Sequence, residues 1–389
     1  MYRYFALIWN PAEPAATVVA KRIADRLRSS PAKWACVLTQ EGVQAFHAGV
    51  RPGSNEAYRL PDGAGIVFGK LFPSGRPVDA VTVPNLLRHF WGRYVALLRD
   101  GSTGEVRVLR DPTGNLPCLF ATHEGVTLVF SDVEDLVALD VLSLSVNWKY
   151  VAARVSCCAL QGHETGLNEV YDVLPGECLT FGRSGVERSL AWRPMDIALR
   201  DPIENANTAT EAVRETVRTC VHEWASAYES IIHCLSGGLD SSIVLSCLQR
   251  APSRPTVLCL NYFAAGRYED ERPYARAVAR HLNAELMECQ LDVRAVKLER
   301  MLALRRSPRP WSYVYEVQHG ELESRLAAER GATALFSGGG GDALFYQARA
   351  DLAVADDLWT HGLRPGLLHT LADAAAVSRL SYWTLLRRG

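Results

Sequence analysis

The stretch SIIHCLSGGLDSSIVLSCLQ, residues 230–249, constrains the fold more than any other part of this chain. An apolar run before the glycines predicts a buried strand, and the apolar spacing after them predicts a helix. Glycines between a strand and a helix let backbone N–H groups approach an anion, and the helix adds the positive end of its dipole. The stretch therefore predicts a phosphate-binding loop in an α/β domain.

Asp240 is the unusual member of this loop. A carboxylate repels phosphate unless a cation lies between them, so the loop predicts Mg²⁺ together with the phosphate. The loop contains no lysine, so it is not of the GxxxxGK[ST] kind. The alternative interpretation is an ordinary glycine-rich turn that binds nothing.

Strand and helix patterns alternate through the second half of the chain. Buried strand runs at 256–261, 284–290 and 332–336 are separated by helical patterns at 271–282, 292–304 and 316–330. Such alternation predicts a parallel sheet with helices on both faces, whose ligands bind beyond the carboxyl ends of the strands.

A second glycine run follows the last of these strands and has the sequence SGGGGD, from Ser337 to Asp342. If both runs lie at one edge of the sheet, Asp240 and Asp342 can hold a Mg²⁺–pyrophosphate between them. The alternative is a flexible loop whose Asp342 caps the next helix. His233 and His319 have no partner at catalytic spacing, and each is expected to be a hydrogen-bonded or solvent-facing histidine.

The first half has a different pattern. Short β runs at 4–9, 34–38, 65–71, 94–99, 106–110, 118–121 and 126–130 are separated by turns rich in Gly, Asp and Pro. A helical pattern at 16–28 accompanies them, so a β-rich layered domain is predicted. Prolines at 194 and 202 mark a linker, which gives predicted domains at 1–194 and 205–389 joined by residues 195–204.

Composition limits the partners. The 389 residues have a net charge of −1 and no long basic run, so we expect no nucleic-acid partner. No apolar run reaches membrane-spanning length, and the N-terminus lacks the features of a signal peptide. We therefore expect a cytoplasmic protein without a membrane partner.

The heptad SGGLDSS, residues 236–242, resembles the pyrophosphate loop of the adenylating ATP enzymes that include asparagine synthetases, β-lactam synthetases and lasso peptide cyclases. The second glycine run resembles a loop of asparagine synthetases and lasso peptide cyclases, and residues 347–362 look most like the cyclases. In the first half, GRYVALLRD, VRVLRDPTGNLPCLFA and VTLVFSDVEDLVAL resemble the glutaminase domain of asparagine synthetases. The resemblance implies an Ntn-hydrolase-like first domain and a pyrophosphate-loop ATPase (adenine nucleotide α-hydrolase-like) second domain.

The same resemblance implies ATP and Mg²⁺ as cofactors, with Asp240 and Asp342 as metal ligands. Glu271, in a stretch similar to the family's DE…YA segment, is a third catalytic candidate; its alternative role is an acidic first turn of a helix. The implied nucleotide-binding residues are Leu235, Ser236, Gly237, Gly238, Leu239, Asp240, Ser241, Ser242, Leu260, Asn261, Ser337, Gly338 and Gly339.

Position 2 departs from the glutaminase pattern. Glutaminases of this type use an N-terminal cysteine, whereas this chain has Tyr2. A phenol with a pKa near 10 is a poor acyl acceptor. We therefore expect no ammonia release from glutamine, and an amine that comes from the substrate itself.

A substrate-borne amine favours the ring-closing members of the family. We expect macrolactam closure in a lasso precursor peptide, with a leader-peptide-binding protein and a leader peptidase as further partners. The alternatives are an ammonia- or amine-dependent ligase of the same family and a catalytically inactive scaffold. Related synthetases continue further beyond the second loop and carry there a lysine that steadies the adenylated intermediate. That lysine has no counterpart before Gly389, so either the chain is truncated or another element supplies its function.

Overall fold

The computed structural model describes residues 2–50, 55–74, 81–157, 161–182, 185–200, 202–264, 270–291, 299, 304–310, 316–341, 352–378 and 380–388. The chain divides into two compact units, one of Met1–Tyr228 with Asp292–Glu329 and the other of Glu229–Leu291 with Arg330–Gly389.

The first unit contains two six-stranded antiparallel sheets. Its strands are β1 (Arg3–Trp9), β2 (Ala35–Gln40), β3 (Val43–Ala48), β4 (Glu56–Arg59), β5 (Gly65–Pro73), β6 (Phe90–Arg99), β7 (Val106–Arg110), β8 (Leu119–His123), β9 (Val126–Phe130), β10 (Tyr171–Asp172), β11 (Glu177–Gly182) and β12 (Gly185–Leu190). The strand orders are β10-β8-β9-β1-β3-β2 and β12-β11-β7-β6-β5-β4. The predicted β-rich first half is confirmed, although β3, β4, β10, β11 and β12 were missed.

Helices of this unit are α1 (Pro14–Ser29), α2 (Val83–His89), α3 (Val133–Leu139), α4 (Trp148–Ser156), α5 (Pro194–Ala198) and α6 (Ala206–Ser226). The core between the sheets includes Tyr4 and Phe68, whose rings stack 4.8 Å apart. Alternate residues of β1 face the other way and pack on α1, because strand side chains alternate between faces. Within the predicted linker, residues 195–198 belong to the short helix α5, which has Pro194 in its first turn.

The second unit contains a four-stranded parallel sheet in the order β15-β14-β13-β16. Its strands are β13 (Ser230–Cys234), β14 (Thr256–Phe263), β15 (Glu285–Gln290) and β16 (Ala334–Ser337), and its helices are α7 (Leu239–Gln249), α8 (Arg272–His281), α10 (Ala353–His361), α11 (Gly366–Ser378) and α12 (Tyr382–Arg388). Between α8 and α10 lies α9 (Glu316–Arg330), of which all but the last residue belongs to the first unit. The predicted parallel α/β second half is confirmed.

β13 pairs on both sides, so Ile231, Ile232 and His233 are all buried. The chain runs from β13 through β14 to β15 on one side and returns to β16 on the other, which places a topological switch point between β13 and β16. Most of the predicted helix at 292–304 lies outside the described residues. No helix of the described ranges is both long and apolar enough to cross a bilayer.

Candidate functional site

Two glycine loops leave neighbouring strands at the same end of the parallel sheet. Cys234 at the end of β13 pairs with Ser337 at the end of β16. The first loop leads from β13 into α7, and the second follows β16. Because the strand order reverses here, both loops border the crevice in which parallel α/β sheets bind ligands.

Helix α7 begins without a capping side chain. Its N-cap residue is Gly238, whose carbonyl accepts hydrogen bonds from the Ser242 amide at 3.2 Å and the Ser242 hydroxyl at 2.7 Å. The first N–H groups of a helix have no partners within the helix, and they carry its positive dipole end. This end of α7 therefore suits an anion.

The second loop lies directly against the first turn of α7. A Cβ atom built on Gly338 would lie 2.5 Å from the amide nitrogen of Ser241, and one built on Gly341 would lie 2.1 Å from Oδ2 of Asp240. Real Cβ atoms essentially never come so close, so a side chain at position 338 would collide with backbone, and one at position 341 would force the Asp240 carboxylate to move. The structure thus brings the Asp240 carboxylate against Gly341 of the second glycine loop, 101 residues further along the chain.

A serine supports each loop in the same way. The amide of Gly238 donates to Oγ of Ser236 at 3.1 Å, and the amide of Gly339 donates to Oγ of Ser337 at 3.3 Å. The Ser236 hydroxyl also lies 3.0 Å from the hydroxyl of Ser241. These short local bonds fix the loop backbones before any ligand binds.

Three of the implied nucleotide-binding residues, Leu235, Leu260 and Asn261, lie together beside the first loop. The amide of Leu235 donates to the carbonyl of Leu260 at 2.7 Å, and Nδ2 of Asn261 donates to the carbonyl of Leu235 at 2.8 Å. All three residues are buried. Oδ1 of Asn261 is buried and has no hydrogen-bond partner in the described part of the chain, which is unfavourable without a ligand or water to donate to it.

Glu271 lies where the chain enters α8. Its backbone carbonyl accepts from the amides of Tyr274 and Ala275, and its side chain does not cap the helix. The same turn touches the first loop, because a Cβ atom on Gly237 would lie 2.4 Å from the amide nitrogen of Ala275. The catalytic role of Glu271 stays a prediction, and so does its alternative role in the helix turn.

His233 was expected to be a hydrogen-bonded or solvent-facing histidine, and the structure shows the former, with one specific partner. It is fully buried on β13, and Nε2 lies 2.9 Å from the carbonyl oxygen of Ser241 in the first turn of α7. A carbonyl can only accept, so Nε2 carries the proton. Burial lowers the pKa of His233, while the hydrogen bond to the Ser241 backbone and the nearby backbone of Phe336 oppose the shift. A histidine within an otherwise apolar strand run was the available sequence signal.

The described residues fit a metal that arrives with a nucleotide. Mg²⁺ is usually held by one or two carboxylates together with substrate phosphates. Asp240 supplies one half-buried carboxylate, and Asp342, the other predicted ligand, lies outside the described residues. Within the described ranges, no cluster of three or more His, Cys, Asp or Glu side chains could hold a metal by itself.

Tyr2, at the position of the glutaminase nucleophile, is part of the core of the first unit. Its hydroxyl donates to the carbonyl of Glu56 at 2.7 Å, and burial raises the pKa of the phenol. Cys36, the nearest cysteine, lies on β2. The described residues around position 2 therefore offer no activated nucleophile.

Residues 212–387 match the protein-family model described as Asparagine synthase. This matched stretch is less than half of the chain and includes both glycine loops. The match supports the asparagine synthetase family for the second half, without singling out the lasso peptide cyclases, and this family domain indicates ATP-dependent amide-ligase chemistry in general. No curated protein matches the chain.

Among solved structures, the chain is similar to NMN synthetase from Francisella tularensis, with 16% identity and a TM-score of 0.22. The likeness covers 31% of this chain and 52% of that one, so the chain spans about half the length of that protein. A likeness this weak carries no argument about function.

Proposed function

We propose that this protein is an ATP-dependent ligase that forms an amide bond through an acyl-adenylate, and that it closes a macrolactam ring in a lasso precursor peptide. The observation that carries the ligase proposal is the contact between the Asp240 carboxylate and the second glycine loop at the switch point of the parallel sheet. That contact unites an uncapped helix N-terminus, two glycine loops and a carboxylate at one strand end.

In the first step, a side-chain carboxylate of the peptide attacks the α-phosphorus of ATP. The bond from that phosphorus to the bridging oxygen breaks, and pyrophosphate leaves. In the second step, the peptide's N-terminal amine attacks the acyl carbon; the C–N bond forms, the bond to AMP breaks, and the amine releases a proton to solvent.

Each part of the site has a role in this sequence of steps. The first loop and the N-terminus of α7 bind and orient the phosphates. Asp240, with Asp342 as its predicted partner, would hold Mg²⁺, which neutralises charge on the leaving pyrophosphate. The neighbouring Leu235, Leu260 and Asn261 would line the base and ribose, and Glu271 would contact metal or substrate.

The peptide proposal is supported by two observations. Tyr2 is buried and hydrogen-bonded, so the amine is expected from the substrate. Among the described residues, no atom lies within 4 Å of a Cβ added at Gly340 of the second loop, which favours a bulky acceptor. With this substrate, the partners would be a leader-peptide-binding protein and a leader peptidase, and the location would be the cytoplasm. As part of the same proposal, the first unit is an Ntn-hydrolase-like domain without glutaminase activity.

The test is pyrophosphate release from Mg²⁺–ATP, measured with candidate lasso precursor peptides and separately with aspartate plus ammonium. Peptide-dependent release that is abolished in Asp240→Ala and in Asp342→Ala supports the proposal. The matched control is Asp25→Ala, whose side chain is exposed on α1. Pyrophosphate release only in the assay with aspartate plus ammonium would indicate an ammonia-dependent ligase instead of a cyclase. No release in either assay would indicate an inactive scaffold.

A further inference from the structure

We infer that His233 is a positioning residue of the nucleotide site, which acts by fixing the first turn of α7 through the carbonyl of Ser241. The inference rests on the proposed function and adds a residue that neither the sequence motifs nor the family resemblance indicated.

His233 is placed where an apolar residue would be expected. It lies in the central strand of a parallel sheet, between Ile232 and Cys234, and has no solvent exposure. Burying an imidazole costs free energy unless its polar atoms find partners. Here Nε2 donates to the Ser241 carbonyl at 2.9 Å, which offsets part of the cost through a contact to helix α7, while Nδ1 is buried without a hydrogen-bond partner among the described residues.

Ser241 is held from three directions. Its carbonyl accepts from His233, and its hydroxyl lies 3.0 Å from Oγ of Ser236 and 3.3 Å from the carbonyl of Gly238. Its amide nitrogen faces Gly338 of the second loop. Ser241 is thus the point where the strand, the first loop, the helix and the second loop meet.

The orientation of the phosphate-binding groups depends on this residue. Ser241 follows Asp240 directly, and the N–H groups of both belong to the first turn of α7. A shift of the Ser241 carbonyl would rotate that turn, move those N–H groups and displace the Asp240 carboxylate from Gly341. His233 therefore acts on the ligand through Ser241 and does not touch it.

The test compares three substitutions by their affinity for α,β-methylene-ATP with MgCl₂, measured by isothermal titration calorimetry. His233→Gln keeps a nitrogen donor that can reach the same carbonyl, so we expect a dissociation constant within about threefold of the unmodified protein. His233→Leu removes the donor at similar volume. The amide nitrogen of His233→Asn lies one bond closer to the backbone than that of Gln and does not reach the Ser241 carbonyl. Each of these two variants should weaken binding by about tenfold. The matched control is His47→Leu on β3 of the first unit, which should not change the dissociation constant.

Thermal unfolding of every variant verifies that the proteins compared are folded. If His233→Leu does not fold, the contrast between the Gln and Asn variants decides the question alone. Equal affinity of the folded Gln and Asn variants would overturn the inference and leave the proposed function intact. Absence of binding by the unmodified protein would overturn both.

Discussion

The site depends on two residues in van der Waals contact, Asp240 and Gly341. The carboxylate occupies the space that any side chain at position 341 would need. The first loop therefore supplies the carboxylate that we propose binds metal. The second loop has no side chain at position 341 and so leaves the space that this carboxylate occupies. This complementarity is local and can be broken by a single methyl group.

Gly341→Ala should lower pyrophosphate release at least tenfold, because its Cβ would lie 2.1 Å from Oδ2 of Asp240 and force the carboxylate to move. The control is Gly320→Ala on α9, where the added Cβ would meet no atom within 4 Å. The same loss in both variants would contradict the steric explanation, as would full activity of Gly341→Ala.

Asp135 on α3 is a carboxyl whose burial has a consequence for stability. Burial raises its pKa from the ordinary 3.8 to about 6, although the Arg3 side chain is paired with it. The other charged groups acting on it are Asp132, Glu134 and Arg305. One oxygen, Oδ2, is buried with no hydrogen-bond partner among the described residues.

Because the folded state binds this proton more tightly than the unfolded state, the contribution of Asp135 to stability rises as the pH falls from about 6 toward 4. Above pH 6 the buried carboxylate is charged and unfavourable. Asp135→Asn should therefore be more stable than the unmodified protein at pH 7.5, with the advantage shrinking as the pH falls. Urea unfolding at a series of pH values measures this, and a pH-independent difference would contradict it.

At the scale of elements, residues 304–310 are fixed to the first unit by ion pairs. Arg305 contacts Asp132 at 2.7 Å, and Arg309 pairs with Asp172, which also contacts Arg110 at 3.1 Å. The amide of Gly166 donates to the carbonyl of Pro308 at 2.6 Å. This segment lies within the Asparagine synthase match, so part of the matched sequence packs in the first unit.

Asp172→Ala should destabilise the first unit by about 3 kcal/mol, because it leaves the buried Arg110 without its carboxylate. Glu211→Ala on α6 removes an ion pair with Arg214 that is exposed on both sides, and should cost less than about 1 kcal/mol. Chemical denaturation measures the free energy of unfolding of both variants. Equal losses would contradict the larger contribution expected of the buried ion pair.

At the scale of the whole molecule, the first unit has a core between its two antiparallel sheets, and Tyr2 is buried in that core. Tyr2 fills part of that core, packs edge-on to His47 at 6.2 Å and donates its hydroxyl inward. Residue 2 of the first unit therefore contributes packing and a hydrogen bond.

Tyr2→Phe should lower the free energy of unfolding by about 1 kcal/mol, the usual contribution of one hydrogen bond. It should leave pyrophosphate release unchanged, and neither protein should release ammonia from glutamine. Ammonia assays on both proteins check this. Glutamine hydrolysis that disappears in Tyr2→Phe would show that the phenol is catalytic after all.

The sequence by itself determined the class of each half and the existence of both glycine loops, because periodic burial and glycine placement are local properties that propensity and sterics encode. Only the tertiary structure decided that β16 lies beside β13, which brings Gly341 to Asp240 and gives Ser337 and Cys234 a common register. It also showed that His233 contacts Ser241 and that Tyr2 is buried. Strand order and side-chain partners arise from pairings between distant segments, whose free energy no local window of the sequence contains.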